Sequence, residues 1–319
     1  MADYFKAELP PNSKLIGTSN TEWTTGLKHC DLGYIVPDIE DEEEYIKAVF
    51  HICKIENVTA ILSFYDNDVQ VLSKYINEFK KINVTPILPS NFFSNICLDK
   101  YETSIFLEKN GLVSPKTYKI LNAAIADIKN NKLSFPLILK PRFGFGSSNV
   151  FTIYNISQLK TFASYIKEPI IIQEKIIGRE YCMDLFFDNN DTLIEVVVKE
   201  KFVMRSGEVD HAETVKDNLI NETALKLAEA IKYFMTGPLD VDLFVKNNVV
   251  YIIELNPRFG GAYPISHVAG ANFVKYIIAM LNNKKLKPRI GNYEEGIKVM
   301  KEVAIVKNLP SNIINSKTI

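Results

Sequence analysis

The stretch VVYIIELNPRFGGAYP, from Val249 to Pro264, constrains this chain more than any other. Val249 to Ile253 is an apolar, β-rich run that turns abruptly polar. Glu254 and Asn256 lie two apart, so on a strand they share a face, roughly 7 Å apart along it. Pro257 ends the ladder, Arg258 follows, and Gly260-Gly261 allows a tight bend. A buried strand that delivers a carboxylate and a carboxamide at its end suits a hard cation such as magnesium, which takes oxygen ligands. The same residues also fit a core strand ending in an ordinary polar turn, so the rest of the chain must decide.

At 319 residues the chain is too long for one simple core and is expected to form two or three domains. Its 47% apolar and 24% charged residues are those of a soluble globular protein. A net charge of -1 gives no bulk attraction for nucleic acid or an anionic membrane. No run approaches the roughly 20 apolar residues of a membrane span. Met1 to Pro10 has neither a basic nor an apolar signal region, so the expected compartment is the cytoplasm. Cys30, Cys53, Cys97 and Cys182 form no CxxC pair, and the four histidines show no HExxH or HxH spacing, so neither a zinc site nor a disulfide framework is indicated.

The first hundred residues alternate short strand-like runs (Lys14–Gly17, Gly33–Pro37, Thr59–Phe64, Val84–Pro89) with helical ones (Glu40–Lys54, Asn67–Lys81). Such alternation predicts a parallel, helix-covered sheet, with Asp66 as an N-cap. The usual opening of such a domain is a strand and a glycine-rich turn, but Met1 leads into an amphipathic helix (Tyr4, Phe5, Leu9); either the first strand is missing or the start lies upstream of this Met1. Without GxGxxG, dinucleotide binding is not expected. Asp99 to Gly111 reads as a helix closed by Gly111, and a domain boundary falls near Ser90–Cys97.

Phe135 to Ser148, FPLILKPRFGFGSS, is a short strand ending in Lys140-Pro141-Arg142, followed by Gly144, Gly146, Ser147 and Ser148. Glycines bring backbone N–H groups close to phosphate oxygens, and the adjacent cations neutralise charge. A hairpin turn with flanking surface charges fits the same residues, because Val150–Tyr154 resumes as a strand. Pro169–Ile176 then breaks into Gln173, Glu174 and Lys175, with Gly178 and Glu180 beyond. Backbone groups at such a break can read the edge of a planar base, and a carboxylate can accept ribose hydroxyls.

The ordered set of lysine plus glycine lid, strand–break–acid and ELNPR resembles the ATP-grasp superfamily, in the branch of carbamoyl-phosphate synthase large subunits and the pyrrolysine-biosynthesis ligase. The resemblance covers nearly the whole chain. It implies an α/β architecture (the α+β ATP-grasp fold): a Rossmann-like pre-ATP-grasp domain over 1–93, lacking its first strand, then an ATP-grasp domain over 94–290. The lid lobe would span about 112–175 and the large lobe about 176–290, with an extension over 291–319 packing on the ATP-grasp domain. Carried onto this sequence, Lys100 and Lys140 are the lysines that contact ATP phosphates, and Gly144, Gly146, Ser147 and Ser148 form the lid. Gln173, Glu174, Lys175 and Ile176 form the adenine-reading hinge, and Glu180 is the ribose acid. Asp242, Glu254 and Asn256 hold one or two magnesium (or manganese) ions. Arg258 steadies the transferred phosphoryl group.

Strand periodicity bears on the metal set independently. Leu239 to Val245 puts Asp240 and Asp242 on one face. If it runs antiparallel to Val249–Leu255 through a turn at Lys246–Asn248, Asp242 meets the Glu254 end. Asp240 then supports the ligands without being one of them. Lys199, Lys201 and Arg205 lie on a strand that reads equally as the acceptor side of the site, with Arg205 catalytic, or as a solvated basic edge. His267 is expected to pack near the Gly260 loop. The implied activity is an ATP-dependent carboxylate–amine ligase acting on a small carboxylate and an amine, with no nucleic acid or membrane partner and room for a homodimer. A single ATP-grasp unit without a glutaminase does not support full carbamoyl-phosphate synthesis. A kinase-like phosphotransferase and a non-catalytic nucleotide-binding subunit are the rival readings.

Overall fold

The computed structural model describes residues 1–144, 149–205, 207–302, 305 and 313–316. The N-terminal region opens on the helix Ala2–Glu8, followed by parallel strands Ile16–Ser19 and Leu32–Ile35. Ala60–Ile61 and Thr85–Pro86 pair in parallel as a separate two-stranded sheet, so the strands are shorter than the sequence predicts. The helix Glu42–Ile55 has a good local start: the Asp41 side chain accepts from the Glu44 N–H, and three glutamates fill the first turn, where the helix dipole favours them. The single helix expected over Asn67–Lys81 is two, Asp66–Ser73 and Ile76–Lys81. At the break, Tyr75 donates its hydroxyl to Glu42 and packs edge-on against Phe50. Tyr45, Val49, Val69, Leu72 and Phe79 fill the core between these elements.

Two helices lead out of this region. Asn91–Leu98 is capped by Ser90, and Lys100–Lys109 by Asp99, whose side chain accepts from the N–H groups of Tyr101 and Glu102. Gly111, at φ +69°, closes the second helix as expected. A four-stranded antiparallel sheet follows, in the order Thr117–Tyr118, Ile170–Glu174, Leu137–Pro141, Phe151–Ile153. The helices Leu121–Lys129 and Ile156–Tyr165 bury Ala124, Ile125 and Leu159 against Leu137, Leu139 and Ile153.

The largest sheet has six strands, in the order Val249–Asn256, Gly237–Lys246, Arg179–Phe187, Leu193–Arg205, Glu208–Thr214, Lys298–Met300. Its alternation is that of a sheet covered on both sides. Met183, Leu185, Val196, Val198, Val241 and Leu243 pack with the helix Asn218–Ile231. Phe186, Ile194 and Val197 pack with the helices Tyr263–Val268 and Phe273–Leu281. Burying a side chain such as Phe273 or Ile277 contributes about 1.5–3 kcal/mol each.

The segment after 290 divides between two sheets. Lys298–Met300 pairs with Glu208–Thr214, whereas Ile313–Asn315 pairs in parallel with Leu32–Ile35 in the N-terminal sheet, a contact the sequence did not predict. Among the described residues, no helix is long and apolar enough to cross a membrane.

Candidate active site

The hairpin expected from the alternation is present. Gly237–Lys246 and Val249–Asn256 are antiparallel, joined through Asn247 and Asn248 at φ +51° and +59°, the left-handed pair that a tight hairpin turn requires. Its register sets Glu254 opposite Asp242 and Asn256 opposite Asp240. On the next strand, Cys182 stands opposite Asp242 and Asp184 opposite Asp240. These residues alternate with Met183, Val241 and Leu255, which point into the core on the other face.

Three lysines close on the acidic face. Lys100, at the start of its helix, donates to Glu254 at 2.8 Å and to the Gly144 carbonyl at 2.5 Å. Lys201 Nζ lies 2.7 Å from Asp242 and 2.7 Å from Glu180. Lys140 is buried, and that burial pushes its pKa down to about 8; Glu254 and Asp242 oppose the fall and Lys100 adds to it. Burial works against ionisation of Glu254, but Lys100 and Lys140 outweigh it and hold the carboxyl below its usual range.

Arg258 sits just past the strand end between two acids. Its Nη1 donates to Asp240 at 3.2 Å, and its Nε and Nη2 reach Asp66, each at 3.2 Å. Asp66 is therefore not an N-cap. It is the first residue of its helix, that helix has no side-chain cap bond, and its carboxylate is spent on Arg258. Asp240 also accepts from Asn256 Nδ2 at 3.4 Å. Burial and the adjacent Asp242 raise its pKa to about 7, against the pull of Arg258.

The remaining candidates divide. Gln173 is buried and donates to Thr117, the Glu174 N–H bonds the Lys116 carbonyl at 2.9 Å, and Lys175 donates to Thr152 at 3.0 Å. Ile176 is buried. This segment is thus anchored in the small sheet, while Glu180 is tied through Lys201 to Asp242. Gly144 is within reach of Lys100; Gly146, Ser147 and Ser148 lie outside the described residues. Arg205 does not join the cluster: its side chain is 59% exposed and donates across the hairpin end to Asp210. His267 stacks on Tyr4 at 3.9 Å and bonds the Tyr263 hydroxyl, the packing role expected for it.

Two residues were underread from sequence. Lys201 belongs to the site and not to a basic edge. Lys199, two positions earlier on the same face, is wholly buried with Asp184 and lies beneath the site. Alternation puts Lys199 and Lys201 on one face of the strand and Glu200 on the other, where it pairs with Arg179, but does not say which face is buried.

Residues 97–262, just over half of the chain, match the family model described as the ATP-grasp domain. The chain belongs to the ATP-grasp family. Residues 1–87 match the PylC-like N-terminal domain, so the ATP-grasp unit is preceded by a recognisable partner region. Among relatives, the carbamoyl phosphate synthase large chain of Thermoanaerobacter sp. is 28% identical over 239 residues, 70% of this chain and 22% of that protein. The large chain of Clostridium perfringens (strain SM101) is 22% identical over 300 residues, 89% of this chain and 27% of that protein. The chain thus spans about a fifth to a quarter of the length of these curated relatives. Among solved structures, N5-carboxyaminoimidazole synthetase from Staphylococcus aureus complexed with ADP aligns at a TM-score of 0.72 and 16% identity, over 90% of this chain and 74% of that one. An L-amino acid ligase from Bacillus licheniformis aligns at 0.66 and 17%, over 88% and 78%. These likenesses establish the ATP-grasp fold.

Proposed function

We propose that this ATP-grasp chain is an ATP- and magnesium-dependent ligase that joins a carboxylate to an amine through an acyl phosphate. One observation carries the reading: Glu254 and Asp242 stand opposite each other at a strand end, with Lys100 and Lys201 already on them and Lys140 buried nearby. An acidic pair surrounded by cations suits a polyphosphate that arrives with a divalent ion. The names of the relatives, a synthase, a synthetase and a ligase, are in keeping with it.

Among the described residues, no group of three or more His, Cys, Asp or Glu side chains is placed to hold a metal ion. Two carboxylates and the Asn256 amide oxygen nevertheless make a hard oxygen set, and they fit an ion that habitually keeps water and substrate phosphates in its remaining positions. Asp242, Glu254 and Asn256 would hold magnesium, or manganese, which when bound neutralises charge on the terminal phosphates. The chain's own residues do the rest. Lys100 would move from Glu254 to phosphate as ATP enters, with the buried Lys140 supplying a second charge. The hinge at Glu174–Ile176 would present backbone groups to adenine, and Glu180 would accept the ribose hydroxyls. The substrate carboxylate then attacks the γ-phosphorus in line while Arg258 steadies the transferred group. The amine attacks the acyl phosphate, releasing phosphate and leaving an amide. No nucleophilic side chain is needed.

The order of events gives the test. ATP labelled with ¹⁸O in its β,γ-bridge, incubated with a panel of acids and no amine, is expected to scramble the label only with the true acid. ADP and an amide then appear when the amine is added. Release of a phosphorylated acid without any amine would make the enzyme a phosphotransferase instead.

Lys140 makes a second expectation. Its pKa lies below the ordinary 10.5, at about 8, so between those values the unfolded chain holds more protons. The stability of the free protein therefore rises with pH across that window, and the penalty is fully present below about 8. Nucleotide phosphates favour the protonated amine. ATP affinity should be flat below about pH 8 and then fall by up to tenfold per pH unit. Calorimetry on wild type and Lys140→Arg checks this: the arginine variant should lose the fall, and an equal pH slope in both would remove Lys140 from the phosphate site.

A further inference from the structure

The loop that carries Arg258 is held from two sides, by the ATP-grasp unit, where Tyr263 lies 4.7 Å from the Phe259 ring, and by the part of the chain that precedes that unit. Asp66 takes two of the guanidinium nitrogens, Nε and Nη2, while Asp240 in the large sheet takes the third, Nη1. Phe259 has Phe64 against its ring at 5.7 Å between centroids, and Phe5, from the first helix, edge-on at 6.2 Å. Gly260 then crosses Asp240 so closely that a Cβ there would lie 2.6 Å from the Asp240 Cγ, so the loop cannot relax in that direction. The side chain of Arg258 is only 15% exposed. A planar guanidinium held at one nitrogen can still turn about that bond; held at all three, by carboxylates from two elements, its plane is fixed.

We propose that Asp66 is a positioning residue for Arg258: the N-terminal region contributes to the ligase site the carboxylate that sets the angle of the guanidinium. This rests on the ligase reading, in which Arg258 acts on the transferred phosphoryl group. It also gives the N-terminal region, which lacks a dinucleotide fingerprint, a role in the chemistry. Displacing a catalytic group by about 1 Å can cost on the order of a hundredfold.

MgADP binding, titrated with and without aluminium fluoride as a mimic of the phosphoryl group in flight, tests this without knowledge of the substrate. In the wild type, aluminium fluoride should tighten MgADP. Asp66→Asn, which keeps the side-chain volume, should lower that tightening about tenfold or more while MgADP alone binds within about twofold of wild type. Asp66→Glu should restore part of it. In an Arg258→Ala background, Asp66→Asn should change nothing further. Asp66→Asn with full tightening, or an additive loss in the Arg258→Ala background, overturns the inference alone. Wild type without tightening, or Arg258→Ala with full tightening, overturns the reading of Arg258 itself and the inference with it. A loss of MgADP binding equal to the loss of tightening would show that Asp66 merely holds the fold together, and also overturns it.

Discussion

Glu254→Gln is expected to lower metal-dependent ADP formation by about a thousandfold, because losing one charged ligand from a magnesium site removes several kcal/mol of charge stabilisation. The substitution keeps shape and removes one negative charge at a point where two jobs meet. Glu254 stands opposite Asp242 in the ladder, and it also holds Lys100, whose second bond goes to the Gly144 carbonyl. With glutamine there, the oxygen set falls to one carboxylate and two amides, and Lys100 loses its ionic partner. The magnesium concentration needed for half-maximal ATP binding, measured by calorimetry, should rise steeply. Asp242→Asn should act in the same direction, while freeing Lys201 instead of Lys100. A Glu254→Gln protein with the magnesium dependence of wild type would remove the metal assignment.

The largest effect on stability is expected at Lys199. Lys199 and Asp184 are 0% and 2% exposed, and Ser266 donates to the same Asp184 oxygen at 2.5 Å, while the other oxygen, Oδ1, has no hydrogen-bond partner among the described residues. Burial opposes the charge on Lys199, but Asp184 beside it keeps the amine protonated. Lys199→Ala leaves that carboxylate buried with only a hydroxyl, a loss of about 3–5 kcal/mol. In a chain of this size the melting temperature should fall by roughly 10 °C. Lys199→Met combined with Asp184→Leu should recover much of the loss, because the charge is then removed together with its partner. Denaturant unfolding of the three proteins checks it; a Lys199→Ala protein within about 1 kcal/mol of wild type would show that Asp184 finds other compensation.

The difference between what was readable and what was not follows the range of the interactions. The hairpin bearing Asp242 and Glu254 was legible because strand alternation and a polar turn are local properties, and its register follows from them. The Lys140 strand and its return as a hairpin were legible for the same reason. Asp66 was misread because an aspartate just before a helix has a good local use, and nothing nearby reveals that its partner is Arg258, 192 positions downstream. Lys201 was ambiguous because its partners, Glu180 and Asp242, come from two other strands, so only the sheet order brings the three together. Arg205 was misjudged in the opposite sense: it shares the face of Lys199 and Lys201 by count, but register shifts near Val203 change the alignment before the strand reaches it.

The parallel pairing of Ile313–Asn315 with Leu32–Ile35 has a consequence for biosynthesis. A strand made early waits for one made nearly a whole chain later, so this sheet cannot be completed while the intervening residues are still being translated. Its exposed edge must stay unpaired on the ribosome through synthesis of the entire catalytic unit. Contacts so distant in sequence also form slowly. The hairpin that carries Asp242 and Glu254 can therefore pair before the N-terminal sheet is closed.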